Sequence, residues 1–155
     1  MVTAFIERFE ACLEELAPLL PGHYEELALY KDHIPLDPNF PAYVAREQAG
    51  GLIFCTIRKE GELVGYYIGF LENAVLPNLH YKTTPMCKTD IFYICPEYRM
   101  GGAGRLLFAT VEAELKRRGI VVWFVGSKVH LPADGLFEML GFDRVETYFS
   151  KLLVT

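Results

Sequence analysis

The sequence lacks the features that mark metal proteins, disulfide scaffolds and membrane proteins. Its four cysteines form no C-x-x-C pair and its four histidines are scattered, so no spacing typical of a zinc site occurs. No apolar run approaches the roughly 20 residues that a transmembrane helix needs. The first ten residues carry acids where a signal peptide would be basic and then apolar. We therefore expect a cytoplasmic protein with no metal and no membrane partner.

Basic residues are in the minority as well. The chain has 15 Lys and Arg against 20 Asp and Glu, a net charge of -5. Nucleic-acid-binding proteins usually present a basic surface, so no nucleic-acid partner is expected. The basic run at 116–118 ends a predicted helix, where cations complement the helix dipole, and we do not assign it to a partner.

The chain does contain enough apolar residues for one hydrophobic core. It has 155 residues, of which 52% are hydrophobic, and this predicts a single domain over residues 1–155. The first 50 residues predict a helix capped by Thr3 and continuing to Leu16, then a second short helix over 23–30. Residues 31–50, where prolines recur, are expected to be irregular.

Strand patterns begin at Leu52 and alternate with helical patterns after residue 96. An unbroken apolar run at 120–125 predicts a central strand covered on both faces. The other predicted elements are a hairpin of strands 52–58 and 63–71, a strand 89–95, helices 102–118 and 133–140, and a last strand 142–153. This order predicts an α/β fold with one mixed sheet flanked by helices.

A glycine-rich turn between a strand and a helix carries the functional signal. Pro96 ends the strand, and Arg99-Met100-Gly101-Gly102-Ala103-Gly104 leads into the helix. Free N–H groups at a helix N-terminus bind anions, and glycines let phosphate oxygens approach the backbone. The P-loop pattern is excluded because no Lys-Ser or Lys-Thr follows, and the Rossmann pattern fails at its last glycine. The alternative is a glycine-rich helix start with no ligand.

The turn resembles the acetyl-CoA signature of the GCN5-related N-acetyltransferases, [RQ]-x-x-G-x-[GA]. A second motif of that family is matched by Phe137-Glu138-Met139-Leu140-Gly141-Phe142. The resemblance covers residues 50–153 and is weak over residues 1–49. It implies a mostly antiparallel mixed sheet, with 50–153 as the acetyl-CoA-binding core and 1–49 as a helical region on the acceptor side. The chain is also similar to small acetyltransferases of phage and bacterial genomes.

The resemblance implies acetyl-CoA as the acyl donor and assigns residues to it. N–H groups across Gly101 to Arg105, with Arg99 leading in, would hold the pyrophosphate. The main chain of Ile94 would face the thioester, and that of Cys95 or Phe92 the pantetheine arm. The full set of expected cofactor-binding residues is Phe92, Ile94, Cys95, Arg99, Met100, Gly101, Gly102, Ala103, Gly104, Arg105 and Phe137.

Asp90 is the expected general base. An amine with a pKa of about 10.4 is neutral in only about one molecule in 2,500 at pH 7, so a base assists its attack. Polyamine acetyltransferases of the family carry a glutamate at the matching distance before the signature. Strand alternation predicts that Asp90 shares a face with Phe92 and Ile94. The alternative is a carboxylate that only caps a turn.

The sequence offers several candidates for the proton donor to the departing thiolate, because Phe137 stands where the family often has a tyrosine. Tyr148, Tyr93 and His130 are the alternatives, with Tyr148 as the predicted catalytic residue. The thiolate could also leave unassisted, since a thiol pKa is about 8.5.

The sequence thus supports two functions. The first is N-acetyltransfer to a primary amine (a small amine, a polyamine or a protein amino group) by direct attack in a ternary complex, with a homodimer as the expected assembly. The second is a catalytically weak or inactive module of the same fold that binds acyl-CoA or a partner.

Overall fold

The computed structural model describes residues 1–154 as one five-stranded sheet flanked by helices. The strands are β1 (Thr3–Ile6), β2 (Leu52–Lys59), β3 (Glu62–Glu72), β4 (Met86–Ile94) and β5 (Val122–Phe124). They lie in sequence order, with β1 to β4 antiparallel and β5 parallel to β4. This confirms the predicted α/β fold with a mixed, mostly antiparallel sheet.

Five α-helices accompany the sheet. They are α1 (Leu13–Leu16), α2 (Leu20–Leu27), α3 (Phe40–Gln48), α4 (Ala103–Arg117) and α5 (Asp134–Met139). Short 3-10 turns lie at Glu10–Cys12, Ala17–Leu19 and Pro96–Tyr98. Among the described residues, none of the helices has the length and apolar character needed to cross a membrane.

The sheet separates two hydrophobic cores. The first core lies between the sheet and α4, where Leu107, Phe108 and Val111 are fully buried. The second lies under the N-terminal helices, around Phe9 and Leu16. Alternate strand residues enter opposite cores, as the two-residue period of a strand requires.

The central hairpin is confirmed. β2 and β3 join at Lys59–Glu62, where Glu60 and Gly61 have φ of 51° and 85°. Two successive residues with positive φ match a type I′ turn, which suits the twist of the flanking strands. The helices predicted over 102–118 and 133–140 are also present, as α4 and α5.

The prediction for the first 50 residues differs from the structure in three places. The second helix, expected over 23–30, is α2 and spans Leu20–Leu27. Residues Thr3–Ile6 form β1 rather than the start of a helix, because they pair with β2 from Arg58 to Cys55. The stretch expected to be irregular contains α3, which Asn39 caps by accepting a hydrogen bond from the Ala42 N–H at 3.1 Å. Pro41 fits the first turn of this helix, where no N–H is needed.

The last two predicted strands also differ from the structure. β5 is only three residues long and forms the edge of the sheet, with Val122 and Phe124 exposed, so it is not a central strand. No strand forms over 142–153. Within the described chain, residues 143–154 make no backbone–backbone hydrogen bonds. Apolar character alone therefore did not indicate which segments of the chain pair with another strand.

Candidate functional site

The end of β4 has an open edge. β5 pairs with β4 only from Met86 to Lys88, so the edge beyond Lys88 faces no neighbouring strand. On the β3 side, the Cys95 N–H donates to the Val64 carbonyl at 2.8 Å. Because antiparallel residues alternate between facing the partner strand and facing away, Phe92 and Ile94 turn their main-chain groups to the open edge.

The glycine-rich loop presents free N–H groups beside this edge. Gly101 and Gly102 both have positive φ, 83° and 86°, and a Cβ at either position would meet no atom within 4 Å. The N–H groups of Gly101 to Arg105 have no backbone acceptor in the described structure. They lie at the N-terminus of α4, a 15-residue helix whose dipole favours an anion there. The loop therefore fits a phosphate group.

Two of the expected cofactor-binding residues are packing residues in the structure. A Cβ at Gly104 would lie 3.2 Å from a methyl group of Leu136, so this glycine allows α4 to approach α5. Phe137 is 6% exposed and packs against the rings of Phe92 and Phe108, with ring centroids 5.9 and 5.3 Å away. Met100, by contrast, is exposed, and Ala103 is buried in the first turn of α4.

The side chain of Arg99 binds the N-terminal region rather than the loop. Its Nε donates to the Ile94 carbonyl at 2.8 Å, and its two Nη atoms donate to the two carboxylate oxygens of Glu26 at 2.5 and 2.8 Å. These hydrogen bonds lower the pKa of Glu26 and raise that of Arg99. Glu26 lies on α2, so the first residue of the loop is tied to the N-terminal region.

A cluster of ring side chains surrounds this ion pair. The His23 ring stacks on Tyr93 with centroids 4.7 Å apart, and its Nδ1 lies 2.6 Å from the hydroxyl of Tyr66. Burial lowers the pKa of His23 to about 4, so the ring is neutral at pH 7. Sequence reasoning missed His23 and Glu26 as site residues, because no local pattern signals a contact between α2 and β4.

Asp90 lies on the face opposite to the one that alternation predicts. It is an extra residue in β4, since Ile91 pairs with Ile68 while Thr89 pairs with Gly69. This β-bulge moves the Asp90 carboxylate to the second core, whereas Phe92 and Ile94 pack against the first. The shared-face prediction is therefore wrong.

The Asp90 carboxylate is partly buried and paired with α3. Tyr43 donates its hydroxyl proton to Asp90 Oδ2. Burial raises the pKa of Asp90, while the hydrogen bond from Tyr43 and the charge of Arg46 oppose that rise. A carboxylate with an elevated pKa is better matched to proton transfer near neutral pH than an ordinary aspartate.

The three predicted proton donors differ in their surroundings: Tyr93 belongs to the ring cluster, whereas Tyr148 and His130 are exposed. Tyr148 is 87% exposed, on the segment without backbone hydrogen bonds, and makes no hydrogen bond within residues 1–154. His130 is exposed in the connection before α5. Among the described residues, no three His, Cys, Asp or Glu side chains gather into a group that could hold a metal ion.

Comparison with known proteins agrees with this geometry. The family model described as "Acetyltransferase (GNAT) family" matches residues 9–142, most of the chain. The chain belongs to the GNAT acetyltransferase family. A search of curated protein sequences gave no match.

Several solved structures are similar in fold to this GNAT-family chain over nearly its whole length. A ribosomal-protein-alanine N-acetyltransferase from Brucella melitensis biovar Abortus 2308 has 18% identity and a TM-score of 0.72, covering 100% of this chain and 99% of that one. An aminoglycoside acetyltransferase from a soil metagenomic sample has 15% identity and a TM-score of 0.74, covering 99% of both. A predicted acetyltransferase from Clostridium acetobutylicum, solved with acetyl-CoA, has 12% identity and a TM-score of 0.67, covering 99% and 97%. At these identities the likeness concerns the fold.

Proposed function

We propose that the protein transfers an acetyl group from acetyl-CoA to a primary amine by direct attack in a ternary complex. The observation that carries the proposal is the row of free N–H groups from Gly101 to Arg105 beside the open edge of β4. Pyrophosphate fits the first feature and an extended pantetheine arm fits the second, since it can hydrogen-bond to a strand edge as a partner strand would. Family membership supports the same chemistry.

Different main-chain groups at the open edge would contact the thioester and the pantetheine arm. Ile94 lies at the end of β4 and would face the thioester. Of the two alternatives for the pantetheine arm we choose Phe92, because the Cys95 N–H already donates to Val64. Burial raises the pKa of the Cys95 thiol, which disfavours a nucleophilic thiolate and accords with direct attack by the amine.

Asp90 is the proposed general base, acting through water. It precedes Ile94 by four residues, which is about 13 Å along a strand, so its carboxylate cannot touch an amine placed at the thioester. In the reaction the ammonium loses one proton by way of water to Asp90, and the neutral amine nitrogen bonds to the acetyl carbon. The C–S bond then breaks, CoA leaves as a thiolate, and the second proton of the nitrogen passes to solvent water. The residues that border this route include Tyr43, which donates to the same carboxylate.

No proton donor to the thiolate is assigned. Phe137 has no proton to give, Tyr148 is exposed, and the Tyr93 hydroxyl donates to Glu26 at 3.3 Å. We therefore propose unassisted departure of the thiolate. The predicted roles of Tyr148 and His130, the cytoplasmic location, the homodimer and the likeness to phage enzymes stay predictions.

The alternative is an acyl-CoA-binding module without turnover, and the lack of a tyrosine at position 137 favours it. A thiol-release assay with a panel of small amines, polyamines and peptide amino groups separates the two. The enzyme predicts thiol release that depends on both acetyl-CoA and an amine. Acetyl-CoA binding with no thiol release on any amine, in the wild type and equally in Asp90→Asn, would favour the module.

A further inference from the structure

The guanidinium of Arg99 lies on the opposite side of the sheet from the helix that its loop begins. The loop leads into α4, which packs on the first core, whereas Arg99 reaches α2 and lies 5.3 Å over the ring of Tyr93, a residue of the second core. Three of its donor atoms are used by Ile94 and Glu26. None of these contacts points to the free N–H groups from Gly101 to Arg105.

Resting on the proposed function, we infer that Glu26 is a positioning residue that holds the Arg99 side chain as a strut between α2 and the end of β4. The strut holds the N-terminal region, which is expected to form the acceptor side, in a fixed position relative to the thioester at the end of β4. The Arg99 side chain is not a ligand of the pyrophosphate, which the backbone N–H groups bind.

The geometry of the pair suits a strut. Two parallel N–H to oxygen bonds between a guanidinium and a carboxylate fix orientation as well as distance. The Arg99 and Glu26 side chains are 33% and 26% exposed, so water competes less than at an open surface pair. Tyr93 adds a hydrogen bond to Glu26 at 3.3 Å. The pair thus joins α2 to the two residues at the end of β4.

The same pair fixes a reactive region. The Arg99 Nε holds the carbonyl of Ile94, whose main chain faces the open edge where the thioester is proposed to lie. A small displacement of that edge relative to the acceptor lowers the rate of a reaction that depends on alignment. Loss of the strut is therefore expected to lower the rate of transfer more than the affinity for acetyl-CoA.

The charges of the Arg99–Glu26 pair also indicate that its loss affects the rate of transfer more than the affinity for acetyl-CoA. The Glu26 carboxylate neutralises the guanidinium, so Arg99 adds little net positive charge next to the pyrophosphate. Attraction of the anion then rests on the N–H groups and on the dipole of α4. Removal of both charges in a Glu26→Gln, Arg99→Gln double variant should therefore leave that attraction nearly intact.

The experiment uses the full chain with Glu26→Gln, Arg99→Gln and the double variant. Calorimetry gives the Kd for acetyl-CoA, and thiol release with the best amine gives kcat and KM. We expect the Kd to stay within about threefold in every variant and kcat to fall about tenfold in each single variant. Because both changes remove one interaction, the double variant should be no slower than the slower single variant.

A matched control is available at a second ion pair. Glu15 binds Arg58 through two hydrogen bonds of 2.6 and 3.0 Å, joining α1 to β2 beside the hairpin turn. Glu15→Gln should lower thermal stability without changing kcat. Should Arg99→Gln fail to fold, Arg99→Lys keeps the charge but loses the fork, and is expected to show the same fall in kcat.

Two results would overturn the strut. The first is a Kd for acetyl-CoA raised tenfold or more both by Arg99→Gln and by the double variant, but not by Glu26→Gln, which would make Arg99 a phosphate ligand. The second is wild-type kcat in both single variants, or losses that multiply in the double variant. A wild-type protein that neither binds acetyl-CoA nor acetylates any amine would instead reject the proposed function, and the strut with it.

Discussion

Gly102 allows the charge requirement of the loop to be tested without a steric change. Its surroundings are open and its φ is 86°, a conformation that Asn and Asp tolerate better than other side chains. Gly102→Asp and Gly102→Asn therefore place side chains of nearly equal size in the same backbone strain, and both residues are good helix caps. They differ in one negative charge beside the proposed pyrophosphate.

The expected penalty follows from the separation of the charges. A carboxylate at position 102 would lie about 5 Å from an anion held by the neighbouring N–H groups. At that distance two unit charges repel by about 3 kcal/mol at an effective dielectric constant near 20, and by about 0.8 kcal/mol in bulk water. Because Gly102 is exposed, we expect about 1–2 kcal/mol. This corresponds to acetyl-CoA binding about 5- to 30-fold weaker in Gly102→Asp than in Gly102→Asn.

The assay is calorimetric titration of acetyl-CoA into both variants at low and high salt. The difference between the two should shrink as salt rises, since an exposed charge is screened. Circular dichroism before titration establishes that α4 is intact in each. Equal affinities of the folded Asp and Asn variants at low salt would refute anion binding at this loop.

The remaining predictions concern proton transfer and pH. Asp90→Asn should lower the rate more at pH 7 than near pH 10, where about 30% of an amine with a pKa of about 10.4 is already neutral; equal losses in the two pH–rate measurements would mark Asp90 as structural. Tyr43→Phe removes a hydrogen bond that stabilises the ionised carboxylate, so the pKa of Asp90 should rise and the acidic limb of kcat/KM should move to higher pH; an unmoved limb would argue against Asp90 as the base. His23 stays neutral down to about pH 4 when folded but gains a proton near pH 6.5 when unfolded, so the free energy of unfolding should fall as pH drops through that window, by at most about 3 kcal/mol. Urea titrations at pH 7 and pH 4.5 should show a smaller loss of stability in His23→Gln than in His80→Gln, the control, whose side chain is exposed. An equal loss in both variants would contradict the assignment of this loss to His23.

Sequence patterns were sufficient where the structure depends on neighbouring residues. The turn at Glu60 and Gly61 and the glycine-rich start of α4 are local, because residue type decides which backbone angles are favourable. The proposed anion site is local for the same reason, since it consists of N–H groups from successive residues.

Contacts between distant segments were not predictable in this way. The pairing of Glu26 with Arg99 joins residues 73 positions apart. The bulge at Asp90 depends on the pairing between β4 and β3, and one extra residue reverses the face that alternation predicts. Likewise, Thr3–Ile6 becomes a strand because β2 offers a free edge, which no property of those four residues indicates.

The most direct test of the account measures both products of one reaction. Purified protein, acetyl-CoA and each amine of the panel are incubated together, and the released thiol and the acetylated amine are quantified by absorbance and mass spectrometry. We expect equal amounts of both products for at least one primary amine, with the rate reduced in Gly102→Asp at subsaturating acetyl-CoA. Thiol release without an acetylated amine, or no release with any amine, would contradict it.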